Sequence, residues 1–359
     1  MCGRALPTMA AGSRGRSAGG LIFRGANSFW IMTAVAMPAA ASAAPLDYLH
    51  SSGTRADSVV ALTWGVLAIS VAVIVIISLL VAAAVWRRPG MAMPPGTRTP
   101  LQEPVSGLNW IWIGVSLSTL VLLFSVVWTM AVLAQVASPG SKPALTVEVT
   151  GHQWWWQVRY LSDDPAQVFD TADEIHIPTG VPVKFLLIGG DVIHSFWVPA
   201  LSGKTDLIPG QTNETWLEAH EPGTYRGQCT EYCGIEHAKM GFLVVAQTPR
   251  DFEAWRARER QSPARPSSGG QWAGQANFVT YCGSCHTVRG SDAGGQLGPD
   301  LSHLMLRKTL AAGLLPNDAA HLAHWISDPQ GIKPGNLMQK PELSARELRD
   351  ILAYLETLK

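Results

Sequence analysis

Two long stretches of this chain contain no charged residue, Val59 to Trp86 and Leu108 to Val136. Nothing else in the sequence restricts the fold as strongly. About 20 apolar residues are enough to cross the hydrocarbon core of a bilayer, and both stretches are longer. A pair of buried core helices is the rival explanation, and the length argues against it. Trp86, Trp110 and Trp112 lie near the ends, where indole rings favour the membrane interface. Hydrophobic residues make up 47% of the chain and charged residues 15%, a balance that suits a membrane anchor with a water-soluble part. The formal net charge is zero, so no bulk attraction to nucleic acid is implied. The loop between the stretches carries Arg87, Arg88 and Arg98 against Glu103. The positive-inside rule therefore puts that loop in the cytoplasm and both flanks outside.

The N-terminus reads as a targeting segment. Arg14, Arg16 and Arg24 precede an apolar run from Phe29 to Ala41, and Ala41-Ser42-Ala43 has the pattern of a cleavage site. Residues 1–43 are thus expected to be a signal peptide, with a third, uncleaved helix as the rival. Residues 44–58 follow as a periplasmic N-terminal segment, then a two-helix transmembrane hairpin over 59–136. Either way the chain beyond Val136 faces an oxidising compartment. The expected location is the bacterial inner membrane, crossed twice, with the remaining domains outside the cytoplasm.

After the Pro/Gly/Ser stretch from Ala137 to Pro143, short runs rich in Val, Ile, Trp, Phe and Thr recur: Leu145–Thr150, Trp154–Tyr160, Glu174–Ile177, Val181–Leu187, His194–Val198, Thr215–Glu218 and Gly241–Ala246. Turn signals such as Gly189-Gly190, Pro209-Gly210 and Pro222-Gly223 separate them. The pattern predicts an all-β sandwich over residues 145–250. Residues 251–271 are expected to be a linker. Asp251 to Arg260 reads as a short charged helix, and Gln261 to Gly270 as a flexible Pro/Ser/Gly tether whose ends lie roughly 15–20 Å apart. Residues 272–359 are expected to be an all-α domain. Its last helix is marked by a Ser344/Glu347 capping box, and its core stripe is Leu348, Ile351, Leu352, Leu355 and Leu358.

Cys2 would leave with the signal peptide, so four cysteines remain, in two pairs. Cys282-Gly-Ser-Cys285-His286 is the C-x-x-C-H attachment signature of a c-type haem. Two thiols about one helical turn apart reach both vinyl groups of one porphyrin, and the adjacent histidine faces the iron. The rival is a redox-active dithiol that happens to precede a histidine. Candidates for the sixth ligand are Met338, Met305, His303, His321 and His324. A thioether would raise the potential relative to a second histidine. Gly298-Pro299-Asp300-Leu301 would pass the proximal side, where a carbonyl can orient His286.

The second pair lies in Gly227-Gln-Cys229-Thr-Glu231-Tyr-Cys233-Gly-Ile-Glu-His237-Ala-Lys-Met240. A disulfide between Cys229 and Cys233 would leave His237 and Met240 without a role. Structural zinc rarely takes methionine, whereas thiolate, imidazole and thioether together select copper. His194 can supply a second imidazole from upstream. Two thiolates can bridge two coppers, each completed by His194 or His237 and by one weak ligand. Met240 would be one such ligand, and a backbone carbonyl near Glu231 the other.

Together with Gly151-His-Gln-Trp-Trp-Trp156, Asp191-Val-Ile-His194-Ser-Phe-Trp197 and Lys204-Thr-Asp206, this stretch resembles subunit II of haem–copper cytochrome c oxidases, whose cupredoxin domain holds the binuclear CuA centre. Gly-Pro-Asp-Leu at 298–301 and Lys-Pro-Gly-Asn-Leu-Met at 333–338 resemble the class I cytochrome c family and favour Met338. The whole is similar to the subclass with a fused cytochrome c. The resemblance implies a membrane hairpin, a cupredoxin-like sandwich and a cytochrome c domain. It implies that the Glu231 carbonyl binds copper and that its carboxylate reaches a magnesium or manganese ion shared with subunit I. It implies that electrons enter at Trp154, and that Asp163, Asp164, Asp170, Asp173 and Glu174 form an acidic docking surface. Family members often carry a proton-pathway glutamate shortly before the tryptophan that opens the second membrane helix. Here Gly107 and Asn109 stand in that register, with Glu103 further back, so that role is not carried over.

The expected function is electron input to a proton-translocating cytochrome c oxidase, from covalent haem c through CuA to the oxygen-reducing site of subunit I. The partners implied are subunits I and III, membrane lipid, and an upstream donor such as a soluble cytochrome c or a quinol–cytochrome c reductase. One rival is the electron-input subunit of a CuA-bearing nitric oxide reductase. A rival of another class is a membrane-anchored copper-delivery or redox-sensing protein, which would need labile, exposed copper.

Overall fold

A computed structural model of the chain describes residues 46–87 and 108–359. The expected signal peptide, Glu103, Gly107 and most of the loop behind the positive-inside argument lie outside those residues. Both apolar stretches form helices, α1 (Thr54–Trp86) and α2 (Leu108–Ala137). By length and composition each can cross a membrane. Their large apolar side chains, Leu79, Leu80, Leu122 and Val127 among them, are exposed. A helix in a soluble core would bury such residues, whereas lipid is the solvent that accepts them.

Helix α1 begins earlier than its apolar run. The polar turn Thr54–Ser58 is anchored to the β-domain, where Ala56 is buried and Arg55 donates to Thr215. Asp57 pairs with His220 at 3.0 Å. At the end of α2 the Val136 carbonyl accepts from Trp216 Nε1 at 3.1 Å. Ser58 donates to Gln135 at 2.8 Å, tying the two helices together at the same level.

The β-domain is a sandwich of two five-stranded sheets. Its strands are β1 (Leu145–His152), β2 (Trp155–Leu161), β3 (Phe169–Ala172), β4 (Glu174–Pro178), β5 (Val183–Gly189), β6 (His194–Trp197), β7 (Thr205–Leu207), β8 (Thr212–Leu217), β9 (Gly223–Cys229) and β10 (Gly241–Gln247). One sheet runs β3-β2-β1-β5-β8 and the other β4-β10-β9-β6-β7. Pairing is antiparallel except for β1 with β5 and β4 with β10. Buried and partly exposed residues alternate along β1, β2 and β5, the period-2 signature of a strand with one face in the core. Both sheets contribute aromatic rings to that core: Trp156 meets Phe242 with ring centroids 5.1 Å apart, and Phe196 meets Phe242 at 4.7 Å.

Strand β4 departs from alternation, being buried along its whole length. The cause is α3 (Pro249–Glu259), whose Trp255 stacks on His176 at 4.1 Å between ring centroids. Phe252 and Trp255 belong to the sandwich core. The charged helix expected inside the linker is therefore part of the β-domain. Its apolar residues were too few to announce that from the sequence.

The C-terminal domain contains α4 (Gly269–Tyr281), a short hairpin of β11 (Thr309–Leu310) and β12 (Leu315–Pro316), α5 (Ala319–Ser327), α6 (Pro329–Ile332) and α7 (Ala345–Leu355). The Ser344/Glu347 capping box forms with both reciprocal bonds. Ile351, Leu355 and Leu358 are fully buried, and Tyr354 packs on Phe278 of α4 at 5.7 Å.

Residues 261–268 have no regular secondary structure and are largely exposed, yet the domain they lead to is docked. Lys308 N donates to Glu174 Oε2 at 2.9 Å, Gly241 N to the Ala312 carbonyl at 3.0 Å, and Lys239 Nζ to the Ile332 carbonyl at 3.0 Å. The expected acidic docking surface is thereby revised. Asp173 and Glu174 are buried, Glu174 between His176 and the backbone of Lys308. Asp170 pairs with Arg159 at 2.8 Å, and Asp164 caps a short 3-10 turn. Two of the five acids lie beneath the chain's own helical domain.

Ile351→Ala should lower the stability of the helical domain by about 2–5 kcal/mol, the usual cost of a buried aliphatic truncation. Thermal unfolding followed by haem absorption measures this, with little change expected in a copper signal from the sandwich.

Candidate metal and haem centres

The copper candidates come from adjacent strands at one end of one sheet. His194 opens β6, Cys229 closes β9, and Met240 directly precedes β10. Phe196 pairs with Cys229 across β6 and β9. Cys229 N donates to the Met240 carbonyl at 2.9 Å, which closes the loop between β9 and β10. Gly234 in that loop has φ +120°, a conformation that side-chain-bearing residues rarely adopt. The Trp154 ring lies against it.

The loop returns its donors to one point. Cys229 and Cys233 are free thiols with Sγ atoms 3.8 Å apart, far beyond the roughly 2.05 Å of a disulfide. Cys229 Sγ lies 4.0 Å from His194 Nδ1 and 3.3 Å from the Glu231 carbonyl. Cys233 Sγ lies 3.5 Å from His237 Nδ1 and 3.8 Å from Met240 Sδ. Ligand atoms of His194, Cys229 and Cys233 all fall within 4.8 Å of one another. All six expected donors are brought together, and they fit the copper pair: sulfur and imidazole nitrogen converge with no carboxylate among them. The Glu231 carboxylate points away toward Lys204 Nζ at 3.6 Å and is about half exposed.

The protons on the two thiols are unequally held. Hydrogen bonding with Cys233 and with His194 lowers Cys229 to about 4, whereas the bond with Cys229 and burial raise Cys233. Burial opposes a charge on His194, but its bonds to Cys229 and Asp191 outweigh that and raise its pKa. Asp191 Oδ1 sits 2.7 Å from His194 Nε2. It fixes which ring nitrogen faces the sulfurs, a role the sequence offered only as an acid three residues before a histidine.

Trp154 is only 6% exposed. Its Nε1 donates to the Cys233 carbonyl at 3.0 Å, joined there by Gln153 Nε2 at 2.7 Å. The side chain expected to receive electrons is therefore one hydrogen bond from the loop that carries the second thiol.

In the helical domain Cys282 and Cys285 are also free, and His286 follows α4 by a single turn. His286 Nδ1 donates to the Pro299 carbonyl at 2.9 Å, which leaves Nε2 for iron. Burial lowers the His286 pKa and keeps the ring neutral. A Cβ on Gly298 would stand 2.6 Å from His286 Cε1, so only glycine admits the ring. Met338 and Cys282 pack against the same apolar cluster, and the Met338 loop is held by Gln330 Nε2, which donates to the Met338 carbonyl at 3.0 Å. Two rivals for the sixth ligand are engaged elsewhere. His303 Nε2 meets the Gln261 carbonyl at 2.9 Å, and His321 meets Asp318 at 2.7 Å. The thiols, the oriented imidazole and the close glycine fit a covalently held haem.

A sandwich with this donor set, joined to two membrane-length helices and to a helical C-x-x-C-H domain, is the build of a membrane-anchored redox subunit. Residues 145–247 match the family described as cytochrome c oxidase subunit II, periplasmic domain, and residues 272–359 match cytochrome c. The chain is 32% identical over 286 residues to the cytochrome c oxidase subunit 2 of Bacillus sp. strain PS3, covering 74% of this chain and 78% of that protein. It is 40% identical over 215 residues to the subunit 2 of Alkalihalophilus pseudofirmus, covering 59% of this chain and 61% of that one. Among solved structures, the periplasmic domain of subunit II of cytochrome oxidase from Bradyrhizobium japonicum is 33% identical, with a TM-score of 0.31, covering 33% of this chain and 96% of that chain. The chain belongs to the cytochrome c oxidase subunit 2 family, whose members are subunits of haem–copper oxidases, and carries a cytochrome c domain after the copper domain.

Asp191→Asn should reduce copper affinity roughly ten- to a hundredfold, as expected when the partner of a ligating histidine is weakened. Copper titration of the folded protein measures it. Gly298→Ala should disturb the His286 ring, seen as a shifted or weakened low-spin haem spectrum.

Proposed function

We propose that the chain is the electron-input subunit of an oxygen-reducing oxidase, taking electrons at covalent haem c and passing them by way of CuA toward subunit I. The observation that carries this is the convergence of two unbonded thiols, two imidazoles, one thioether and one carbonyl in a buried pocket. Bound there, a copper pair and a haem supply one-electron chemistry. The protein's own part is to hold still. Cys229 and Cys233 are fixed on a closed β-loop, His194 by Asp191, and His286 by the Pro299 carbonyl, so little has to move when charge changes.

Cys282, Cys285, His286 and Met338 are proposed to hold the haem. His194, Cys229, Glu231, Cys233, His237 and Met240 are proposed to hold the copper, Glu231 by its carbonyl. The half-exposed Glu231 carboxylate, 3.6 Å from Lys204 Nζ, is proposed to reach a magnesium ion at the interface with subunit I. Subunits I and III and an upstream cytochrome donor are the proposed partners, with the two helices seated in a bacterial inner membrane. Buried thiols argue against a copper-delivery role, which needs exchangeable metal.

In the purified full-length protein, Cys229→Ser should abolish the seven-line mixed-valence copper EPR pattern and spare the haem c absorption. A wild-type protein that binds zinc or a single copper at this site would overturn the proposal.

A further inference from the structure

Lys333 is a buried cation at the seam between the two soluble domains. It is 2% exposed, and lysine is almost never so deeply buried unless its charge is answered. Its Nζ donates to three carbonyls: Trp154 at 2.6 Å, Lys239 at 2.9 Å and Ala311 at 3.1 Å. An ammonium has three protons, and all three are used. Two acceptors belong to the copper domain and one to the helical domain.

The places it joins are specific. The Trp154 indole bonds to the Cys233 carbonyl, and Lys239 directly precedes Met240. Lys333 itself begins the loop that carries Met338. Around it the seam closes with Lys239 Nζ on the Ile332 carbonyl and Gly241 N on the Ala312 carbonyl. A Cβ placed on Gly335 would meet Ile235 at 3.0 Å and Trp154 at 3.5 Å, so the Met338 loop lies directly over these two side chains.

We propose that Lys333 is a positioning residue: its ammonium pins the Met338 loop to the backbone above the thiol pair, so that the two domains act as one rigid relay. This rests on the function proposed above and deepens it. Without the pin, the haem domain would be a carrier on a leash that finds its copper partner by diffusion. With it, the separation and orientation of the two centres are fixed, and the surface over Trp154 is closed to a soluble donor. Such a donor must deliver to the helical domain.

The test separates docking from tethering. A specific protease site is placed between Ala264 and Arg265 in the exposed linker of the full-length protein. The chain is cut in detergent, and the binding of the two fragments is measured by size exclusion and titration. Wild-type fragments should stay together after cleavage; separation would overturn the proposal. Lys333→Met, which removes all three donors, should raise the fragment Kd at least tenfold and slow haem-to-copper electron transfer. Haem absorption, which misfolding of the helical domain would move, should stay unchanged. An unchanged Kd in this variant would also overturn the proposal. Lys333→Gln keeps an amide donor in the same slot and should fall between the two; if Lys333→Met does not fold, a wild-type Kd for Lys333→Gln decides against the pin. Copper EPR and haem spectra of the same samples report separately on the function proposed above, because loss of either signal in wild-type protein contradicts that function and not the docking.

Discussion

Two sulfur atoms held 3.8 Å apart and unbonded are the constraint around which the molecule is organised. Thiols that close in an exported protein tend toward a disulfide, and here the backbone works against it. Cys229 is fixed at the end of β9 by pairing with both β6 and β10. Cys233 is held from outside by two hydrogen bonds to its carbonyl. The sandwich, with its aromatic core, serves to keep that gap constant. The membrane helices and the helical domain are attached to the same rigid body.

The helical domain is not a mere appendage to that body. Glu174 and His176 pair with each other, covered by α3 on one side and by Lys308 on the other. Lys333 occupies a carbonyl-lined slot at the centre of the seam. Burying charge is costly unless it is paired and hydrogen-bonded, so these groups favour one docked arrangement over any other. Specificity of pose, more than strength, is what such contacts contribute.

Much of this was legible in the sequence. The membrane helices declared themselves through the absence of charge, the haem site through C-x-x-C-H, and the copper site through the spacing of Cys229, Cys233, His237 and Met240. These signals are local, because the chemistry needs particular atoms at fixed short offsets. Strands β3, β7 and β9 were not legible. Phe-Asp-Thr-Ala and Thr-Asp-Leu are short, and Gly-Thr-Tyr-Arg-Gly-Gln-Cys is polar with two glycines; all three become strands because neighbours offer them a ladder. Asp173 and Glu174 were expected on an acidic docking surface, and Lys333 was read only as the start of the motif that carries Met338. Their burial depends on a partner surface more than a hundred residues away, which no local pattern encodes. The composition of residues 261–270 suggested freedom; residues 261–268 lack regular structure while Gly269 and Gly270 open α4, and composition says nothing of what the far end is bound to.

The polar first turn of α1 and the carbonyl at the end of α2 give the hairpin a stiff joint with the sandwich, through Asp57 with His220 and Trp216 with Val136. Such a joint acts as a pillar and not a hinge. The height of the thiol pair above the bilayer is then set by the protein's own geometry. If a thinner or thicker membrane forces the hairpin to lean, the whole head leans with it, and lipid composition becomes a mechanical input to how the subunit presents its donors to neighbours.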